Sequence, residues 1–164
     1  MGSFSGKQWK AGVRKSYMES NAHDGISLYI HLPFCESLCT FCGCHKRITK
    51  RHEMEAPYIR ALLKEWDMYC GLFPGRPVVK ELHIGGGTPT FFSPDNLKWL
   101  LEGIFRKARR AEGHEFSFEG HPNNTSAEHL EVLYDLGFTR ASFGFQAYRP
   151  EDQRAKPPNQ PSEQ

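Results

Sequence analysis

The feature that most constrains the fold is an alternation of two periodicities. Short apolar runs at 27–32, 78–84, 116–119 and 141–145 are separated by three stretches of helical spacing. In the first stretch, 53–70, Ile59, Leu62, Leu63, Trp66 and Cys70 share one face, and Gly71 stands where the helix should end. The second opens on Ser93 as an N-cap with Pro94 behind it, and buries Leu97, Leu100, Leu101 and Ile104. The third opens on a capping box, Thr125 with Glu128, turns Leu130, Leu133 and Tyr134 inward, and stops at Gly137. Strands alternating with helices require right-handed crossovers, which predicts an α/β fold with a parallel sheet, either doubly wound or the start of a barrel.

Residues 1–26 read as a lead-in with a weak helical pattern around Trp9, Val13 and Tyr17. Residues 27–150 hold the strand–helix repeat, and 151–164 form a tail too rich in proline for a helix. Four parallel strands do not close a barrel, so the last would present an open edge.

In either architecture a ligand sits at the C-terminal edge of the strands. Every chemically distinctive residue falls there. After the first strand come four of the five cysteines, with Cys35, Cys39 and Cys42 spaced Cys-x3-Cys-x2-Cys and Cys44 just beyond. Gly85, Gly86, Gly87 and Thr88 follow the second strand, Glu119 ends the third, and Gln146 lies past the fourth.

Three thiolates on one loop can hold three irons of a cubane cluster and leave the fourth iron open to a partner. Zinc on the same cysteines, with Cys44 or His45 as fourth ligand, is the structural alternative, although the second Cys-x2-Cys pair usual in zinc modules is missing. The triple glycine lacks the Lys-Ser/Thr of a phosphate loop and the spacing of a dinucleotide fingerprint. It offers close backbone approach, and Thr88 adds a hydroxyl; a tight turn explains the glycines equally well. Glu119 is harder to dismiss, because a carboxylate in a pocket is costly unless paired. His31 and His83, among apolar strand residues, are expected to be satisfied core histidines, and Cys70 a small core hydrophobe.

Composition excludes several classes of function. With 38% hydrophobic and 24% charged residues the chain has an ordinary globular balance, and a net charge of +2 gives no footprint for nucleic acid. The one basic cluster, Lys46, Arg47, Lys50 and Arg51, borders the cysteine loop. No apolar run is long enough to span a membrane, and no secretory signal opens the chain. An odd total of five cysteines, four of them packed into one loop, speaks for metal or redox chemistry in a reducing compartment, so a cytoplasmic location is expected.

Taken together, Tyr29-Ile-His-Leu-Pro-Phe-Cys35, the three-cysteine loop with Phe41 and Gly43-Cys44, Gly85-Gly-Gly-Thr-Pro-Thr90, Phe118-Glu-Gly-His-Pro122 and Ser142-Phe-Gly-Phe-Gln146 resemble the radical S-adenosylmethionine (SAM) superfamily. Within it they are most similar to the oxygen-independent coproporphyrinogen III oxidases of haem biosynthesis. The related haem chaperones share the loop and the glycines but lack the Gly-Cys pair.

The resemblance implies a partial TIM-type (β/α) barrel and a 4Fe-4S cluster on Cys35, Cys39 and Cys42, with SAM chelating the open iron. Tyr29 and Phe41 would contact SAM; Gly86, Gly87 and Thr88 would hold its amino acid moiety; Glu119 would hydrogen-bond to it; and Gln146 would lie at the nucleoside. Cys44 would be functional without being a cluster ligand. The implied reaction converts two propionates of coproporphyrinogen III to vinyls with loss of carbon dioxide, fed by a reductant such as flavodoxin or ferredoxin. Lys46 and Arg47 could meet substrate carboxylates. Family members are longer, and Pro158 falls where they carry an arginine at SAM. The expectation is therefore an N-terminal or truncated form, inactive by itself in turnover.

Overall fold

Which side chains the strands bury decides the architecture. In a computed structural model, which describes residues 5–38 and 43–144, α1 (Gly6–Asn21) leads into β1 (Ile26–Leu32), followed by the two-residue strands β2 (Phe34–Cys35) and β3 (Arg47–Ile48). Then come α2 (Glu55–Cys70), β4 (Val78–Gly86), α3 (Pro94–Lys107), β5 (Arg109–Gly120), α4 (Ala127–Asp135) and β6 (Phe138–Phe143). The main sheet is parallel throughout, in the order β1-β4-β5-β6.

That order never reverses, so each new strand is laid beside the last, as in a barrel; a doubly wound sheet would turn back at a switch point. Side chains alternate across a strand. Ile30, Leu32, Leu82, Ile84, Phe116 and Phe118 are buried against the helices. The other face carries Ser27, Tyr29 and His31 from β1, His83 from β4, and Ser117 and Glu119 from β5, all half-buried or exposed. An apolar outer face under helices and a polar inner face is the arrangement of a barrel wall, four strands wide and not closed among the described residues.

The helices follow from their stripes. Ser93 accepts the backbone N–H of Asn96 and caps α3. Leu97, Leu100, Leu101 and Ile104 of that helix are at most 3% exposed, each contributing about 1.5–3 kcal/mol by burial. Trp66 of α2 donates its indole N–H to the carbonyl of Ile104 at 3.2 Å and locks the two helices together.

One expectation from the sequence is exceeded and three need correction. The lead-in is a full helix of 16 residues, started by a Ser5–Gln8 capping box and anchored by Tyr17, whose ring stacks on Phe73 at 4.2 Å. β5 begins at Arg109, well before Phe116: residues 109 and 110 pair with Val78 and Val79, and the register then shifts near Gly113. β6 begins at Phe138, because Phe138 and Arg140 pair with Phe116 and Ser117 of β5 across a register shift at Thr139, and the exposure of Thr139 and Arg140 left no apolar signal. α4 is capped by Ser126 with His129, which moves its buried stripe to His129 and Leu133 and leaves Leu130 and Tyr134 at 45% and 74% exposure.

Candidate functional site

The cysteine loop is held at both ends before any ligand is considered. Pro33 ends β1, and Phe34 is clamped among the rings of Tyr58, Phe91 and Phe92 at 5.3–5.7 Å. Cys35, 7% exposed, therefore leaves a fixed point of the core. The chain returns at Arg47, whose N–H donates to Pro33 O at 2.7 Å, and Thr49 N–H donates to Cys35 O at 2.8 Å, closing the loop by the parallel pair β2–β3. On the other side Gly87 N–H donates to Leu32 O at 2.8 Å and Thr88 N–H to Phe34 O at 2.9 Å. The glycine turn thus lies directly against the entry to the cysteine loop.

That contact explains the glycines. At Gly86, φ is +119°, and a Cβ would fall 2.7 Å from the His31 ring. At Gly87 a Cβ would fall 2.6 Å from the carbonyl oxygen of Pro33, so only glycine lets the two backbones meet. Thr88 Oγ1 then reaches Cys35 Sγ at 3.4 Å and donates to it.

His31 ties the far end of the loop to the sheet. Its Nε2 lies 2.7 Å from the carbonyl of His45, an acceptor only, so Nε2 carries the hydrogen. The Tyr29 hydroxyl is 3.0 Å from Nδ1 of the same ring. The phenol of Tyr29 is pushed above its ordinary pKa by burial, with the negative charges of Glu119 and Cys44 adding to the effect. Its ring stacks on His83 at 5.8 Å and 15°. Neither His31 nor His83 is a core histidine: both lie on the polar face with partners.

Glu119 ends β5 on this same face. Its Oε2 accepts the Gly86 N–H at 3.2 Å, and His83 Nε2 stands 3.4 Å from its Oε1. Tyr29, Gly86, Gly87, Thr88, Glu119 and Cys35 accordingly come together at one edge, and half-buried Cys44 sits shortly before β3, where the loop ends. Cys39, Phe41, Cys42 and Gln146 lie outside the described residues. Among the described residues no three metal-ligating side chains are gathered.

The residues present suit the implied groups. Soft sulfur donors on a loop pinned at both ends fit an iron cluster, and a backbone turn beside an accessible carboxylate fits a small ligand bearing an ammonium. A groove of about 750 Å³ between α1, the edge of β1 and α2 is lined mainly by apolar side chains such as Val13, Leu28, Leu62 and Trp66. It includes neither the glycine turn nor Glu119 and is not the site.

Sequence reasoning missed a buried polar knot behind the loop. Glu55, 1% exposed, accepts from His52 Nδ1 at 2.7 Å, Ser93 N–H at 2.9 Å and Asn96 Nδ2 at 2.7 Å. His52 stacks on Phe91 at 4.5 Å and places Nε2 3.8 Å from Glu36, the neighbour of Cys35. A glutamate in the first turn of a helix reads as ordinary dipole compensation. Only the juxtaposition of α2 and α3 shows it to be buried.

Comparison with known proteins places this site in context. The family model described as "Radical SAM superfamily" matches residues 29–163. Curated relatives named oxygen-independent coproporphyrinogen III oxidase include one from Helicobacter pylori, 40% identical over 131 residues, and one from Escherichia coli, 37% identical over 129 residues. Each match covers 79% of this chain, and 29% and 28% of the respective relative. The chain thus spans less than a third of the length of these proteins. A solved structure of the Escherichia coli coproporphyrinogen III oxidase, described as a radical SAM enzyme, superposes with a TM-score of 0.82 at 32% identity, covering 92% of this chain and 33% of that one.

Proposed function

The chain belongs to the radical SAM superfamily, and on that premise we propose that Cys35, Cys39 and Cys42 hold a 4Fe-4S cluster whose open iron binds SAM. Together the bound groups supply a one-electron cleavage of a sulfur–carbon bond, the source of a hydrogen-abstracting radical. The chain's own part is placement. Pro33, the β2–β3 pair and the glycine turn fix where Cys35 starts. Thr88 donates to Cys35 Sγ, and hydrogen bonds to cluster sulfurs are one means by which proteins set potential. Gly86 and Gly87 allow the amino acid part of SAM to approach backbone, Glu119 offers a carboxylate to its ammonium, and Tyr29, Phe41 and Gln146 flank the remainder.

The reaction we propose for the protein is the oxidative decarboxylation of two propionates of coproporphyrinogen III to vinyls, giving protoporphyrinogen IX in haem biosynthesis. Cys44 would serve the reaction without being a cluster ligand, and a protein such as flavodoxin or ferredoxin would provide the electron. The relatives' names and the Gly43-Cys44 pair support this over the haem chaperones. The observation that carries the reading is the contact of the glycine turn with the cysteine loop, which brings a sulfur donor, a backbone cradle and a carboxylate to one strand edge.

Anaerobic reconstitution with iron and sulfide tests the first step. The wild-type chain is expected to take up about four irons and four sulfides, while Cys39→Ala retains less than half as much iron. A colourless protein holding one zinc and no iron under strict anaerobiosis would establish the zinc alternative.

A further inference from the structure

Gly85, the first of the three glycines, pairs in register with His31, but the nearest atoms a side chain there would meet belong neither to His31 nor to the cysteine loop. A Cβ there would fall 3.0 Å from His83 Nε2 and 3.1 Å from the Glu119 carboxyl carbon. A side chain at Gly85 would therefore press on the His83–Glu119 pair.

The pair has a defined geometry. Glu119 Oε1 faces His83 Nε2 at 3.4 Å, and Oε2 takes the Gly86 N–H at 3.2 Å. An ionised carboxylate only accepts, so Nε2 carries the hydrogen, and His83 Nδ1 is held by Ser117 Oγ at 2.8 Å. Tyr29 covers one face of the ring. The His83 and Glu119 side chains are 38% and 46% exposed on the open polar face of the sheet. Held by two donors on two different oxygens, the carboxylate is fixed in rotation while its remaining lone pairs stay available from that face.

We propose that His83 is a positioning residue: through Nε2–H it orients Glu119 toward the ammonium of SAM, and Ser117, whose hydroxyl can donate to Nδ1, keeps the imidazole in the rotamer this requires. The proposal rests on the reading that Glu119 touches SAM. It assigns Gly85 to that pair, and Gly86 and Gly87 to the loop, so adjacent glycines serve different ends.

Two isosteres separate positioning from packing, since Gln reproduces an N–H near the Nε2 position whereas Asn reproduces only the Nδ1 position. The measurement is equilibrium dialysis of labelled SAM, without a reductant, against the reconstituted full chain, with iron content and thermal melting recorded alongside. His83→Asn is expected to weaken SAM binding about tenfold and His83→Gln less than about threefold, as loss of one charge-assisted hydrogen bond implies. Glu119→Gln is expected to weaken it about tenfold, and His83→Asn in that background to add nothing further. Ser117→Ala, which releases the far side of the ring without touching Glu119, is expected to cost about threefold and decides between positioning and packing should His83→Asn fold poorly. If both His83 variants bind SAM like the wild type, if they lose it equally, if Ser117→Ala has no effect, or if the double variant is additive, the proposal is overturned with Glu119's own contact intact. Full affinity in Glu119→Gln, or no SAM retained by the wild type, would remove the underlying reading and the proposal with it.

Discussion

At Cys70, burial sets the chemistry of a side chain that its residue type leaves open. Desolvation at the end of α2 pushes its thiol from 9.0 up to about 11, against the pull of the nearby Lys107 ammonium. The folded protein therefore holds this proton longer than the unfolded chain does. Stability from this group is intact below about pH 9 and is lost as the pH rises from 9 toward 11. Urea midpoints measured across that window should fall for the wild type and fall less for Cys70→Ala. The comparison isolates Cys70 from Tyr17 and Tyr58, which burial also shifts upward. Identical slopes in the two proteins would contradict a half-buried, desolvated thiol. The sequence already put Cys70 on the apolar stripe of α2, and the same sequence, through loop spacing alone, separated it from Cys35, Cys39 and Cys42. Nothing in the sequence told Gly85, Gly86 and Gly87 apart, because their neighbours Glu119, His31 and Pro33 belong to other strands or their ends.

At the scale of elements, helices were legible wherever their apolar stripes were strong. α3 runs from the residue after its Ser93 cap through Ile104 as its spacing required, and Leu97, Leu100 and Leu101 are all buried. α4 departs from expectation by one residue at its cap: Thr125 and Ser126 are both competent caps, and the choice of Ser126 rotates the helix so that His129 donates to Phe92 O at 2.9 Å. The first half of β5 gave no apolar signal because its pairing with Val78 and Val79 is a matter of backbone. The Glu55 knot joins elements that are distant in sequence and was invisible for that reason. Removing its carboxylate would strand the Ser93 N–H and the Asn96 amide in a dry site, so Glu55→Ala should lower the unfolding free energy by about 2–3 kcal/mol in urea titrations. A loss below about 0.5 kcal/mol would show that the knot is solvated.

At the scale of the molecule, the strand order β1-β4-β5-β6 and the polar inner face make this chain one wall of a radical SAM barrel. Among the described residues no helix is long and apolar enough to cross a membrane. The fold class, the four strands and their shared C-terminal edge could be read from alternation alone, since periodicity and connection rules leave few parallel topologies. The family could be read from the motifs on that edge. The contacts among those motifs could not, because they depend on which strand neighbours which and on side chains meeting across the sheet. The central claim is that the three-cysteine loop holds a cluster with an iron left open to SAM beside Glu119 and the glycine turn. Electron paramagnetic resonance of the reconstituted, dithionite-reduced chain, recorded with and without SAM, tests it most directly. A 4Fe-4S signal whose g-values move on adding SAM is the expected result; a signal unchanged by saturating SAM would contradict it.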